Sequence, residues 1–118
     1  MSIASELREK HCASCEGDIA PLSPEQVRDM LKSVPDWSLT ADGKRLRREW
    51  TVKDFAEAIE FFEDIAEIAQ EEDHHPDLHL ANYRNVTIEI WTHKVGGLTE
   101  NDFILAAKID AVPVELKK

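Results

Sequence analysis

The sequence predicts an α+β domain in which antiparallel hairpins carry helices on one face. Three features point to this class. The chain contains two pairs of short segments with alternating polarity, a long amphipathic helix between the two pairs, and one further helix at each end of the domain. The predicted order is helix, strand, strand, helix, strand, strand, helix, without an internal repeat. At 118 residues the chain fits a single domain that can bury a core without disulfides or a metal.

Capping signals and apolar periodicity predict the three helices. Ser23-Pro24-Glu25-Gln26 combines a capping serine, a proline at the first helical position and a glutamine that completes a capping box. This helix is predicted to end near residue 33. The last helix is predicted to begin with a threonine cap at Thr99. The long helix is predicted from residues 51–54 to about residue 73, with apolar residues at spacings of three and four: Phe55, Ala58, Ile59, Phe62, Ile65, Ala66 and Ala69.

Four strands are predicted from alternation and turn residues. The first hairpin joins residues 37–40 to residues 45–50 through Asp42-Gly43, a pair typical of tight turns. Because both sides of its second strand carry charge, we expect that strand at a sheet edge or against a partner. A short extended piece at residues 78–80 precedes the last strand, residues 86–93, whose core face would carry Val86, Ile88 and Ile90.

Residues 1–20 are predicted to form a flexible N-terminal arm, and residues 21–118 the folded domain. The arm contains Cys12-Ala13-Ser14-Cys15, with His11 beside it. One such pair and one histidine offer three ligands at most, whereas a structural zinc site uses four. We therefore interpret Cys12 and Cys15 as two thiols on an arm, and the alternative is metal binding on one arm or between the arms of two subunits.

Composition disfavours several functions. The formal charge is −10, which opposes binding to nucleic acid or to acidic membranes, and the one basic run is Lys44-Arg45-Leu46-Arg47-Arg48. No apolar run approaches the roughly 20 residues of a membrane span. The first residues contain neither a basic region nor an apolar region of a secretory signal, so we expect a cytoplasmic protein that contacts neither nucleic acid nor membrane.

Histidines are the most informative residues of the chain. His74 and His75 end the acidic long helix, and His93 follows the last strand. Imidazole titrates near neutrality, so such a cluster favours proton transfer, with Pro76 and Trp91 as flat apolar walls for a flat heteroaromatic substrate. Helix capping and a metal site are the alternatives. In a regular strand His93 would point away from the core face, which places the site at the strand end, unless a bulge intervenes near Thr92.

Several of these motifs together resemble the pterin-4a-carbinolamine dehydratase family. The resemblance rests on Asp73-His74-His75-Pro76, on Tyr83, on Trp91-Thr92-His93 and on the run from Gly96 to Asp102, and it covers about residues 22–112. It implies a four-stranded antiparallel sheet with helices on one face, in a homodimer or homotetramer. It also implies loss of water from 4a-hydroxytetrahydropterin to give quinonoid dihydropterin, which recycles the pterin for an aromatic amino acid hydroxylase, without metal or organic cofactor.

The resemblance also implies roles for individual residues. His74 and His93 would perform general acid/base catalysis, and His75 would mainly hold the pterin. Asp73, Trp91, Thr92 and Lys94 match positions that line the family's pterin pocket. The sequence departs from the family at Gln70, where many members have a glutamate. A non-catalytic role is the alternative, because some relatives are partners of a transcription factor and others are assembly factors for Rubisco.

Overall fold

The computed structural model describes Arg8 and residues 20–118, and it confirms the α+β prediction. A four-stranded antiparallel sheet in the order β1-β2-β4-β3 packs against helices. The predicted arm, with Cys12 and Cys15, lies outside the described residues. The helices are α1 (Pro24–Leu31), α2 (Phe55–Glu72) and α3 (Glu100–Asp110), and the strands are β1 (Ser38–Leu39), β2 (Leu46–Thr51), β3 (Asp77–Ala81) and β4 (Asn85–Ile90).

The capping residues fix where the first two helices begin. The Gln26 amide N–H donates to Ser23 Oγ at 3.2 Å, and the Ser23 amide donates to Gln26 Oε1 at 2.9 Å, which confirms the predicted capping box. The long helix begins after Asp54, whose carboxylate accepts a hydrogen bond of 2.9 Å from the amide of Glu57. An acidic cap at this end also suits the helix dipole.

One face of the sheet is buried and the other faces solvent. Val86, Ile88 and Ile90 alternate along β4 and are buried, as the sequence predicts. Leu46 and Trp50 on β2 are buried on the same face, because each pairs directly with a buried residue of β4. Arg47 and Glu49 of β2, which pair with Glu89 and Thr87 of β4, lie on the solvent face.

The prediction that β2 lies at a sheet edge was wrong. β4 pairs with it along its whole length, and β1 pairs with its first two residues, so β2 is an interior strand. The charge on its core side is neutralised: Arg48 Nη1 donates to Asp110 Oδ1 at 2.6 Å. The Arg48 guanidinium also lies 4.5 Å from the centroid of the Trp50 ring.

The apolar stripe of α2 is wider than its buried face. Ala58, Ile65 and Ala69 are buried as predicted, and Phe61 joins them although the predicted stripe omits it. Phe55 and Ile59 belong to the predicted stripe but are 54% and 37% exposed. The core therefore uses one side of the stripe and leaves a second apolar row in solvent. None of the helices within residues 20–118 is long and apolar enough to cross a membrane.

Candidate functional site

The C-terminal end of α2 determines where the paired histidines lie. Asp73 ends the helix in the left-handed region, at φ 50° and ψ 41°. The amide of His74 reaches back to the Ala69 carbonyl at 3.2 Å, and the Asp73 amide bonds the Gln70 carbonyl at 3.4 Å. These two bonds form a Schellman-type ending. The reversal turns His74 inward, where it is buried, and leaves His75 exposed.

The end of β4 supplies the third histidine. β4 ends at Ile90, and the Thr92 amide then donates to the Gly97 carbonyl at 3.0 Å, which closes a short loop. Alternation continues past the strand, so Thr92 is buried on the core side and His93 is exposed on the other side. The orientation that the sequence predicts for a regular strand is therefore the one observed, and the pocket lies at the strand end.

A buried hydrogen-bond network joins the helix end to the strand end. His74 Nε2 lies 2.7 Å from Asp102 Oδ1. The other oxygen, Oδ2, accepts hydrogen bonds from the Thr92 hydroxyl at 2.9 Å and from the Thr99 amide at 2.8 Å. The hydroxyls of Thr92 and Thr99 are 2.9 Å apart. Asp102 is fully buried, and His74 is 9% exposed. Three segments of the chain thus converge on one carboxylate.

This network favours one tautomer of His74. An ionised carboxylate only accepts hydrogen bonds, and the two other contacts of Asp102 come from donors. The ring nitrogen facing it, Nε2, must then carry a proton. Among the described residues no hydrogen bond engages Nδ1 of His74, so this nitrogen is the one able to accept or release a proton.

The pocket at this junction has a volume of about 370 Å³ and an open mouth. Six of the eight predicted site residues line it, and all six are polar or charged: Asp73, His74, His75, Thr92, His93 and Lys94. The structure therefore brings all three predicted histidines to one cavity. Pro76 and Trp91, predicted as apolar walls, are not among its lining residues. The Trp91 ring instead packs against His93, with ring centroids 4.3 Å apart.

Sequence reasoning missed the carboxylate that orients His74. The family pattern points to position 70, but Gln70 is exposed. Asp102, 28 residues beyond His74, makes the contact instead. The available signal was the Thr99-x-x-Asp102 spacing, which predicts a helix start but does not reveal that the same carboxylate also bonds a histidine.

The described residues contain no group of three or more His, Cys, Asp or Glu side chains placed to hold a metal ion. His79, the remaining histidine of this part of the chain, lies exposed on β3, where it pairs with Thr87 on the solvent face of the sheet. It is outside the pocket.

Fold and pocket together define a class: a small α+β domain whose histidine-lined cavity is suited to proton transfer on a small molecule. A model of the family "Pterin 4 alpha carbinolamine dehydratase" matches residues 20–112. The chain belongs to this family, whose name denotes a hydro-lyase activity.

Similar proteins agree with this membership. A mitochondrial pterin-4-alpha-carbinolamine dehydratase 2 from Arabidopsis thaliana is 47% identical over 94% of this chain, although the chain spans only 61% of that protein. A protein from Halorhodospira halophila named for the same activity is 44% identical over 90% of this chain and 96% of its own length. A crystal structure of a transcriptional coactivator/pterin dehydratase from Brucella melitensis superposes with a TM-score of 0.73 at 30% identity, over 77% of this chain and 96% of that chain.

Proposed function

We propose that this protein dehydrates a 4a-hydroxytetrahydropterin to the quinonoid dihydropterin. Family membership supports the substrate class. The observation that carries the proposal is the 2.7 Å contact between His74 Nε2 and the fully buried Asp102, in a pocket that His75 and His93 also line. This contact leaves Nδ1 of His74 as a base of fixed orientation beside two exposed imidazoles.

The reaction needs one base and one acid. In the proposed mechanism Nδ1 of His74 removes the proton from N5 of the pterin. The electron pair of that bond forms the C4a–N5 double bond, and the hydroxyl leaves C4a as water after taking a proton from His93. A positioned acid or base of this kind contributes roughly 10²–10⁴-fold to a rate. Asp102 would stabilise the imidazolium that forms on His74 without itself taking the proton.

The remaining pocket residues would hold the substrate. His75 and Lys94 offer donors, and Asp73 offers a carboxylate, around the open mouth of the cavity. Pterin rings carry amide and amino groups that such side chains can bond. Thr92 lines the pocket and also supports Asp102, so its proposed role is shared between substrate and network. Pro76 remains a predicted wall residue, although it does not line the cavity.

A kinetic assay tests this proposal. The carbinolamine is generated enzymatically in the presence of wild-type protein, His74→Ala or His93→Ala, and its dehydration is followed by absorbance. We expect acceleration over buffer by the wild type and a loss of roughly 10²-fold or more in each variant. His79→Ala is the matched control, because His79 is an exposed histidine outside the pocket, and it should retain wild-type activity.

Absence of acceleration over buffer by the wild-type protein would refute the enzyme reading. If His79→Ala and His74→Ala lose equal fractions of the wild-type rate, the assignment of the site is contradicted, although the proposed dehydratase activity still stands. Zinc bound stoichiometrically to protein purified without added metal would support the metal-site alternative.

We also infer that the protein recycles pterin for an aromatic amino acid hydroxylase and that it does so in the cytoplasm. We further infer that it forms a homodimer or homotetramer. The exposed apolar row of α2, which includes Phe55 and Ile59, supports self-association. Light scattering of the wild type and of Phe55→Ser tests this: the variant should dissociate toward the monomer.

The Arabidopsis relative is described as mitochondrial, so fractionation of cells decides the location.

The second candidate function is a binding role without catalysis, such as that of a transcription coactivator or a Rubisco assembly factor. One observation favours it: the similar Brucella protein is described as a transcriptional coactivator as well as a pterin dehydratase. A wild-type protein that is inactive in the dehydration assay yet co-purifies with a specific partner would support this role.

A further inference from the structure

Arg45 and Trp91 form a cross-strand pair one step beyond the ladder of β2 and β4. Leu46 pairs with Ile90 in this antiparallel ladder, so the next residues outward, Arg45 and Trp91, stand opposite each other. Arg45 Cζ lies 4.3 Å from the centroid of the Trp91 ring. This distance is within the range of a cation–π interaction.

Two carboxylates hold the guanidinium in place. Arg45 Nη1 is 3.0 Å from Glu89 Oε1 and 3.3 Å from Asp77 Oδ2. Asp77 and Glu89 are themselves a directly paired position of β3 and β4 on the solvent face. Because Arg45 is bonded on one side and stacked on the other, it forms a planar support for the Trp91 ring.

The Trp91 ring also contacts a proposed catalytic residue. Its centroid is 4.3 Å from that of His93, and the two rings are inclined by 41°. His93 follows Trp91 by two residues, so both side chains emerge on the same side of an extended chain. His93 itself is exposed, and within residues 20–118 no hydrogen bond restrains its ring. Trp91 is therefore the group that limits its orientation.

Hydrogen bonding does not account for a tryptophan at this position. Trp91 Nε1 is buried, and no acceptor within the described residues bonds it. A buried donor without a partner is unfavourable. The two ring contacts, with Arg45 and with His93, are what the indole provides here.

We propose that Arg45 and Trp91 are positioning residues that orient the imidazole of His93 toward the pocket. The inference rests on the proposed function, in which His93 protonates the leaving hydroxyl. It assigns to Trp91 a role through His93 rather than a direct apolar contact with the pterin. It also makes Arg45, which belongs to the single basic run of the sequence, part of the support of the site.

NMR of the free protein tests the contact without any need for catalysis. The ring protons of His93 should show an upfield ring-current shift in the wild type. The shift should disappear in Trp91→Leu, persist in part in Trp91→Phe, and decrease in Arg45→Met. Arg47→Met is the matched control, since Arg47 contacts Glu49 and Glu89 on the same face but not Trp91, and it should leave the His93 signals unchanged.

Steady-state kinetics then tests the consequence. Misplacement of an acid by about 1 Å can cost up to roughly 100-fold, so kcat should fall about 10–100-fold in Trp91→Leu with little change in KM. Arg45→Met should lower kcat about 2–5-fold, Trp91→Phe should restore most of the activity, and Arg47→Met should match the wild type.

The opposite pattern overturns the proposal. If Trp91→Leu raises KM, leaves kcat intact and leaves the His93 signals in place, then Trp91 is a substrate wall and not a positioning residue. Failure of the proposed function is distinguishable, because it would appear as an inactive wild-type protein. The NMR comparison then decides by itself whether Arg45 and Trp91 orient His93.

Discussion

The two ends of α3 each present a carboxylate to the protein interior, but with different partners. Asp102, in the first turn, bonds His74, Thr92 and the Thr99 amide in full burial. Asp110, the last residue, bonds the Trp37 indole at 2.8 Å and Arg48 at 2.6 Å, with 22% of its side chain exposed. A histidine can exchange its proton, whereas an arginine and an indole remain donors. One end of the helix therefore serves the site and the other serves the fold.

The largest effect is expected from Asp102→Asn. An amide at this position can donate as well as accept, so it no longer specifies a proton on Nε2 of His74. We expect kcat for dehydration to fall roughly 10²–10³-fold with a smaller change in KM. Steady-state kinetics at saturating carbinolamine measures this loss.

Asp110→Asn is the matched control for that experiment, since it makes the same chemical change at the other end of the same helix. It should lower the free energy of unfolding by about 1–3 kcal/mol and leave kcat near the wild-type value. Comparable losses of kcat in the two variants would erase the difference between the two ends of α3.

A smaller effect is expected from Thr92→Val, which removes a hydroxyl but keeps the shape of the side chain. Asp102 then loses one of its donors while buried, so the free energy of unfolding should fall by about 1–3 kcal/mol. We expect kcat to fall about tenfold, because His74 loses part of its support. Urea denaturation and kinetics measure both, with Thr87→Val on the solvent face of β4 as the control. Equal effects from the two variants would argue against the network.

The pH dependence of stability should reflect Asp110. Burial raises the pKa of Asp110 above its usual 3.8, against the lowering effects of the Trp37 and Arg48 hydrogen bonds. The folded state thus keeps the proton to higher pH than the unfolded state does. Protonated Asp110 therefore contributes its full stabilisation when the pH is below the pKa of this group in the unfolded chain. This stabilisation is lost as the pH rises through the pKa of Asp110 in the folded state.

The difference in unfolding free energy between wild type and Asp110→Asn should therefore move against the wild type as the pH rises from below 3.8. Urea denaturation of the two proteins over an acidic pH series measures it. A difference that moves in favour of the wild type would mean that the ion pair with Arg48 outweighs desolvation.

The smallest effect is expected from Asp73→Gly. Asp73 has a positive φ of 50°, which glycine adopts more readily than other residues. The variant should gain up to about 1 kcal/mol in the free energy of unfolding. Thermal or urea denaturation tests this, and Asp73→Ala, which should not gain stability, is the control. A loss of stability in Asp73→Gly would show that the Asp73 side chain itself stabilises the helix end.

Local signals in the sequence predicted most of the fold. The capping box at Ser23, the alternation of Val86, Ile88 and Ile90, and the Asp42-Gly43 turn each act within a few residues, so pattern alone reveals them. The interior position of β2 was not predictable in this way. A charged residue such as Arg48 indicates an exposed edge strand when the sequence is considered alone. Its charge is neutralised by Asp110, 62 residues later, and local pattern cannot reveal this contact.

The candidate site was predictable to a similar degree. His74, His75 and His93 were identified from residue type and family pattern, and the structure brings them to one pocket. The partner of His74 was not, because the contact with Asp102 depends on how α2 and α3 approach each other. The role of Trp91 was interpreted as an apolar wall, since a linear sequence cannot show that Arg45 and His93 contact its ring.

The most direct test of the account is the tautomer of His74 in the free protein. Long-range ¹H–¹⁵N correlation spectra, recorded over a series of pH values, identify which ring nitrogen carries the proton. Asp102 should fix that proton on Nε2 and leave Nδ1 unprotonated toward the pocket, and Asp102→Asn should abolish this preference. A wild-type His74 with its proton on Nδ1 would contradict the assignment of His74 as the base.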